Sequence, residues 1–289
     1  MRFKRTIFGI AILLLFVIVL SNPGFAAEYT LSSLLFFGKT VFPSLFLALC
    51  LSSLLLESPI LEKLYCVPFG VEAAVLLFGI LCGFPVGARC AVRLYETGRI
   101  HKKRAEFLCT FSNLASFPFL TGVVGRAMYG SMSFGIRLAL LQAVSALIIM
   151  LVFYLAMKPD CKGIVPTVKS MPIGLTEAVS SSVMTMLSVG GMLIFFGVIG
   201  ELLLSCFAIS EMAAVLLRGI VEFSSGCRAA SGLEGTLSLL CVGFSVGGSG
   251  VCVCAQVSSV LNGKLSLKPY LAAKCLQSVL LPFLLLITG

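Results

Sequence analysis

The stretch Gly83-Phe84-Pro85-Val86-Gly87-Ala88-Arg89 decides the fold. It closes an apolar run, Ala73 to Ala88, that carries no charged residue. Glycines at 83 and 87 around a proline at 85 cannot continue a regular helix, because Pro85 has no N–H to donate and its ring clashes with the preceding turn. An unpaired backbone group in hydrocarbon costs several kcal/mol. Broken backbone at membrane depth is therefore tolerated only where protein buries it or where it lines a watery cavity. The stretch marks a candidate solute site inside a membrane protein.

Composition supports that reading. Of 289 residues, 59% are hydrophobic and 11% are charged, with a mean hydropathy of +1.10; a soluble domain carries about 25% charged residues. Uncharged runs cover 6–27, 40–56, 73–88, 107–125, 138–157, 178–200, 235–263 and 275–289. With roughly 20 apolar residues per spanning helix, these runs predict an all-α polytopic membrane protein of about seven or eight membrane segments, including two broken or re-entrant helices. The net charge of +9 comes in short basic clusters between apolar runs, as on cytoplasmic loops, and the bilayer rather than nucleic acid is the expected partner. The 12 cysteines lie mostly in apolar runs, where Cys behaves as a small hydrophobe. Cys252 and Cys254 are the one close pair, without a neighbouring Cys or His cluster, and no metal is expected. His101 is the single histidine. With no Ser-His-Asp set and no phosphate-binding loop with its lysine, neither catalysis, a cofactor nor nucleotide-driven pumping is expected.

Residues 1–30 read as an N-terminal membrane anchor helix led by Arg2, Lys4 and Arg5. Gly24-Phe25-Ala26-Ala27 has the look of a cleavage site, but the rest of the chain needs membrane insertion anyway, which favours a retained helix or uncleaved signal. An outside turn at Ser21 to Tyr29, a kinked helix from Leu31 to Leu56 containing Lys39 and Pro43, and a polar turn at Glu57 to Lys63 follow. The densest basic stretch comes next: Arg89, Arg93, Arg99, Lys102, Lys103 and Arg104. A full crossing at 73–88 places these outside, against the positive-inside tendency. A re-entrant hairpin broken at Gly83–Gly87 keeps them inside. Helices then cross at 107–130 and 134–156, before a loop with Lys158, Lys162 and Lys169.

Two repeats are expected, 31–160 and 171–289. Gly83 to Gly87 matches Gly243-Phe244-Ser245-Val246-Gly247, and Gly98-Arg99-Ile100 echoes Gly263-Lys264-Leu265; another register sets Gly83, Val86 and Ala88 against Gly250, Val253 and Ala255. Halves of opposite orientation are the pattern of inverted-repeat transporters, with sites at broken helices near mid-membrane. With the first half starting outside and the second inside, residues 99 and 264 are expected on opposite sides.

Polar groups inside apolar segments are expensive and mark candidate sites. The candidate substrate-binding residues are Gly83, Phe84, Pro85, Gly87, Ala88 and Arg89 at the first break, then Ser112, Asn113 and Ser116, then Glu222, and finally Ser249, Gly250 and Gln256 at the second break. Each charged or amide group also has a structural reading: Arg89 snorkelling at a helix end, Glu222 pairing with Arg218 on one helix face, Asn113 and Gln256 bonding between helices. Helix N-termini exposed at two breaks favour anions. With Arg89 they suggest a small anionic or polar solute, for which Glu222 would accept an N–H or O–H or hold a coupling cation.

Leu81-Cys82-Gly83-Phe84-Pro85-Val86-Gly87-Ala88-Arg89, Leu94-Tyr95-Glu96-Thr97-Gly98-Arg99-Ile100, Ala105-Glu106 and Phe111-Ser112-Asn113 together resemble the YlbJ-type sporulation integral membrane proteins, within the wider nucleoside-recognition or Gate-domain membrane proteins. In the second half Ser180-Ser181-Ser182, Glu222-Phe223-Ser224-Ser225-Gly226 and Ser249-Gly250-Val251-Cys252-Val253-Cys254-Ala255-Gln256 are similar to that family's elements. The chain departs from the pattern at Phe117, Cys252 and Cys254. The resemblance implies a role in endospore formation, moving dipicolinic acid across the mother-cell-derived outer forespore membrane. It also admits a nucleoside as solute, and a non-transporting scaffold in spore-envelope assembly. A homo-oligomer and other sporulation membrane proteins are both compatible as partners.

Overall fold

In hydrocarbon every backbone group must be satisfied within the protein, and the regular elements among the described residues are all helical. The computed structural model describes residues 2–56, 58–163, 174–207 and 209–288. Lys169 and the expected repeat boundary near Met171 lie outside them, as does Glu57.

Helix α1 (Arg2–Ser21) meets α2 (Pro23–Phe36) at Asn22, so the turn expected over Ser21 to Tyr29 shrinks to one residue. Pro23 suits the first helical turn, where its missing N–H has no partner to lose. A π-helical stretch, Phe37–Val41, joins α2 to α3 (Phe42–Leu56) directly ahead of Pro43. The wider turn relieves the clash a proline ring makes with the carbonyl before it, and Pro23–Leu56 runs as one 34-residue candidate span. The expected polar turn is a short helix, α4 (Pro59–Tyr65), capped by Ser58.

Then comes the expected re-entrant segment. Helix α5 (Gly70–Cys82) and α6 (Val86–Glu96) are joined by Gly83, at φ +79°, and a cis Phe84–Pro85 bond. Both ends of this hairpin lie together, since Arg99 just after it pairs with Glu62 just before it at 3.0 Å. Helix α7 (Lys102–Phe111) unwinds over Ser112 to Ser116 and resumes as a π-helical stretch, Phe119–Met128. Long helix α8 (Met132–Met157) follows, then α9 (Leu175–Cys206). A second hairpin, α10 (Glu211–Val221) and α11 (Phe223–Ser231), turns at Glu222. Helices α12 (Gly235–Gly248) and α13 (Gly250–Leu261) form one path broken at Ser249 and Gly250, both left-handed. Helix α14 (Lys268–Thr288) ends the order. Among the described residues, five helical stretches are long and apolar enough to cross a membrane, with shorter apolar helices beside them.

Hairpin, broken helix, long helix thus occurs twice, but not in the register the glycines suggest. Gly83 to Gly87 forms a hairpin tip, whereas Gly243 to Gly247 lies inside regular α12. The structural partner of the first tip is the second tip: Gly79-Ile80 and Phe84-x-x-Gly87-x-Arg89 reappear as Gly219-Ile220 and Phe223-x-x-Gly226-x-Arg228. Packing repeats too. A side-chain carbon on Gly79 or Gly87 would overlap Ser112, and one on Gly219 or Gly226 would crowd Ser245.

The ends are opposed. Lys264 pairs with Glu96, Ser266 N donates to Glu106 Oε1 (2.8 Å), and Phe69 N donates to Cys161 O (3.0 Å), so the loops flanking the first hairpin gather with the α13–α14 loop. At the other end Ser238 Oγ bonds Ala230 O (2.8 Å) and Tyr129 OH (2.9 Å), and Arg137 donates to Leu285 O (2.8 Å). The second hairpin opens there. Residues 99 and 264 therefore share an end, which corrects the expected assignment of the two halves that set them on opposite sides. Among the described residues, Arg99, Arg104, Lys162 and Lys264 collect at that shared end, in line with the positive-inside tendency.

That end is fastened by a buried ion pair. Arg104 donates from Nε and Nη2 to both oxygens of Glu72 (2.7 and 2.8 Å) and from Nη1 to Lys162 O (2.8 Å). Removing one partner of a buried pair strands the other charge, at about 3–5 kcal/mol. Arg104→Leu is expected to lower the Tm of detergent-purified protein accordingly, and an unchanged Tm would contradict the latch.

Candidate functional site

Free backbone donors at a broken helix are the first problem the site has to solve. At the first tip, Val86 N donates to Gly83 O (3.0 Å) and Ala88 N to Asn113 Oδ1 (3.0 Å). Asn113 is itself held by Nδ2 donating to Cys109 O (3.0 Å). At the second tip, Glu222 takes the same part with its own carboxylate, accepting from Ser224 N (3.0 Å), Ser225 N (2.8 Å) and Ser224 Oγ (2.5 Å). These N–H groups are therefore occupied by protein rather than left for an anion. Glu222 does not pair with Arg218, whose guanidinium grips Glu201 instead (2.7 and 2.9 Å).

The two tips enter from opposite ends and meet. Phe84 stacks edge-on against Phe223 (5.5 Å between centroids), and Phe223 lies against Phe119 (5.4 Å), beside the first broken helix. This aromatic knot borders a small central cavity of about 50 Å³, lined also by Gly83, Ser116, Glu222 and Gln256. Lys274 of α14 lies behind it, 3% exposed, with Nζ 5.4 Å from the Phe84 ring and bonded to Gln277 Oε1 (2.8 Å).

Larger cavities flank the knot. One of about 370 Å³ lies toward the basic end and includes Arg89, Ser52, Ser53, Ser181 and Lys264 in its wall. A second, also about 370 Å³, lies on the other side, with Tyr29, Ser32, Glu201, Arg218, Glu222 and Arg228. A cavity of about 220 Å³, bordered by Pro85, Ser188 and Gln256, sits between the first of these and the centre. Helix α9 runs past all of them, from Glu177 and Ser181 through Val189 and Leu193 to Gly197 and Glu201. At 1.5 Å per residue, Glu177 to Glu201 covers about 36 Å, a little more than a bilayer's hydrocarbon.

Arg89 projects into the first cavity rather than the centre. Its Nη2 donates to Ser53 Oγ (3.3 Å) and Ser181 Oγ (3.1 Å), while Nη1 is buried without a protein partner. Of the other sequence candidates, Gly83, Phe84, Ser116, Glu222 and Gln256 border the central cavity, and Pro85 the adjoining one. Gln256 is steadied by Nε2 donating to Cys252 Sγ (3.4 Å). Gly87, Ala88, Ser112 and Asn113 hold the first tip against α7, while Ser249 and Gly250 form the bend of the second broken helix. Sequence reasoning missed Phe223, Lys274 and Arg228. The matching Phe-x-x-Gly-x-Arg of the two tips was the available signal for Phe223 and Arg228. Lys274 carried a signal as a lone cation at the edge of an apolar run.

Asn113→Ala leaves Ala88 N–H buried without an acceptor, at about 1–3 kcal/mol. Hydrogen exchange followed by mass spectrometry is expected to show faster exchange in peptides spanning 83–92, with Asn113→Asp restoring protection. Unchanged exchange in the alanine variant would refute the cap.

The chain is 29% identical over 314 aligned residues to the sporulation integral membrane protein YlbJ of Bacillus subtilis (strain 168), an alignment covering 90% of this chain and 77% of that protein. No family model matches the chain. No solved structure matches it.

Proposed function

We propose that the chain is a YlbJ-type sporulation integral membrane protein, as its 29% identity over 90% of its length supports, and that it transports a small anionic solute, dipicolinate, across the outer forespore membrane. One observation carries the anionic part of this reading. Arg89 keeps a buried guanidinium N–H group without a protein partner in the wall of a cavity of about 370 Å³. A buried charged donor left unpaired is costly, and an entering carboxylate is the acceptor that fits it.

The rest of the pathway suits such a cargo. Hydroxyls of Ser53 and Ser181 hold Arg89 from one side, so its planar fork is oriented before a solute arrives. A planar aromatic ring can lie against the Phe84, Phe119 and Phe223 faces at the constriction. That contact suits a nucleobase equally, and the unpaired Nη1 of Arg89 is what favours an anion over a neutral nucleoside. A scaffold for spore-envelope assembly has no use for cavities strung along α9 on both sides of a constriction.

Movement then follows from the hairpins. With a tip entering from each end, withdrawal of one opens the knot to one cavity while the other tip still seals the far side. This is alternating access built on opposed repeats.

Purified protein in liposomes tests the reading. Dipicolinate uptake above that of empty liposomes, and above uptake of uridine, is expected. Arg89→Ala is expected to raise the KM for dipicolinate about tenfold or more, in line with a lost charge-assisted bond. Arg99→Ala, which breaks a pair with a half-exposed Glu62, is expected to stay within about twofold. Equal loss in both variants, or uridine uptake without dipicolinate uptake, overturns the assignment.

A further inference from the structure

The second hairpin carries an arginine at the position where the first carries Arg89. In Phe223-x-x-Gly226-x-Arg228 the spacing from tip aromatic to glycine to arginine equals that in Phe84-x-x-Gly87-x-Arg89. The phenylalanines meet at the central knot. The glycines pack each hairpin on its broken helix, at Ser112 and at Ser245. The arginines therefore sit beyond the knot on opposite sides, Arg89 in one cavity of about 370 Å³ and Arg228 in the other, also about 370 Å³.

The other charges of the Arg228 cavity are committed. Arg218 and Glu201 bind each other through two hydrogen bonds, of 2.7 and 2.9 Å. Glu222 is consumed in capping α11. Arg228 makes a contact of another kind: its Cζ lies 5.7 Å from the centroid of the Phe36 ring. A contact with an aromatic face uses no N–H hydrogen bond, so the guanidinium donors stay available to a carboxylate. Hydroxyls of Ser32, Ser33 and Ser225 in the same wall supply further donors.

We propose that Arg228 is a second anion-binding residue, so that each side of the constriction holds its own carboxylate site. Arg228 receives the solute at the end where the second hairpin opens, and Arg89 receives it at the basic end. The solute class is a small, planar molecule bearing at least one carboxylate. A solute released by one guanidinium meets an equivalent one past the aromatic knot, so neither side becomes a trap. This inference rests on the transport reading but is tested by binding rather than flux.

Isothermal titration of dipicolinate into nanodisc-reconstituted protein tests it. Wild type is expected to bind two equivalents, Arg89→Ala and Arg228→Ala one each, and the double variant none. Arg228→Lys keeps the charge but loses the fork, and is expected to retain two equivalents, one of them about tenfold weaker. That variant guards against misfolding of the alanine form. Unchanged stoichiometry and affinity in Arg228→Ala, or no binding by wild type, overturns the proposal. Two-site binding without uptake into liposomes instead overturns the transport reading and leaves the second site standing.

Discussion

Backbone that leaves a helix inside a bilayer must find its hydrogen bonds in protein, and this requirement organises the molecule. Each hairpin tip frees N–H groups where water is scarce. Asn113 answers for Ala88, and Glu222 answers for Ser224 and Ser225. Because the caps come from protein, the tips are finished structures that need no solute to complete them. What remains uncommitted is side-chain charge: Arg89 with its unpaired Nη1 and Arg228 over Phe36.

The close packing follows from the same requirement. A cap works only if the broken helix lies against the tip, which explains why Gly79, Gly83 and Gly87 leave no room beside Ser112 and Ser116. Gly219, Gly226 and Gly250 do the equivalent in the second half. Small residues permit such approach where lipid gives helices no hydrophobic reason to associate. At the loop end, the Glu72–Arg104 pair fixes the base of the first hairpin.

Much of this was legible in the sequence. Gly83, Pro85 and Gly87 announced the first break through backbone chemistry alone, and the basic loop after it made the segment re-entrant. The break near Ser249 was visible in its glycines, though it falls at the end of the run rather than at Gly243. The second hairpin was hidden because its tip carries Glu222, Ser224 and Ser225 in place of Gly83, Pro85 and Val86. An acidic cap there replaces a left-handed glycine, so the same bend is built from unlike residues. Glycine matching consequently chose the wrong register. The pairing of Arg218 with Glu201 was equally out of reach, since it links separate helices rather than one face. The twinned arginines were present in the letters, and only the meeting of the two tips gives them meaning.

The central claim is that the two hairpins enter from opposite sides and meet at Phe84 and Phe223. Sided thiol labelling tests this most directly. Single cysteines at Arg99, Lys264 and Glu234, in a background with the native cysteines replaced, are exposed to a membrane-impermeant maleimide in sealed, uniformly oriented vesicles. Labelling of 99 and 264 from one side and of 234 from the other is the predicted result. Labelling of all three from the same side would contradict the opposed hairpins and the pathway built on them.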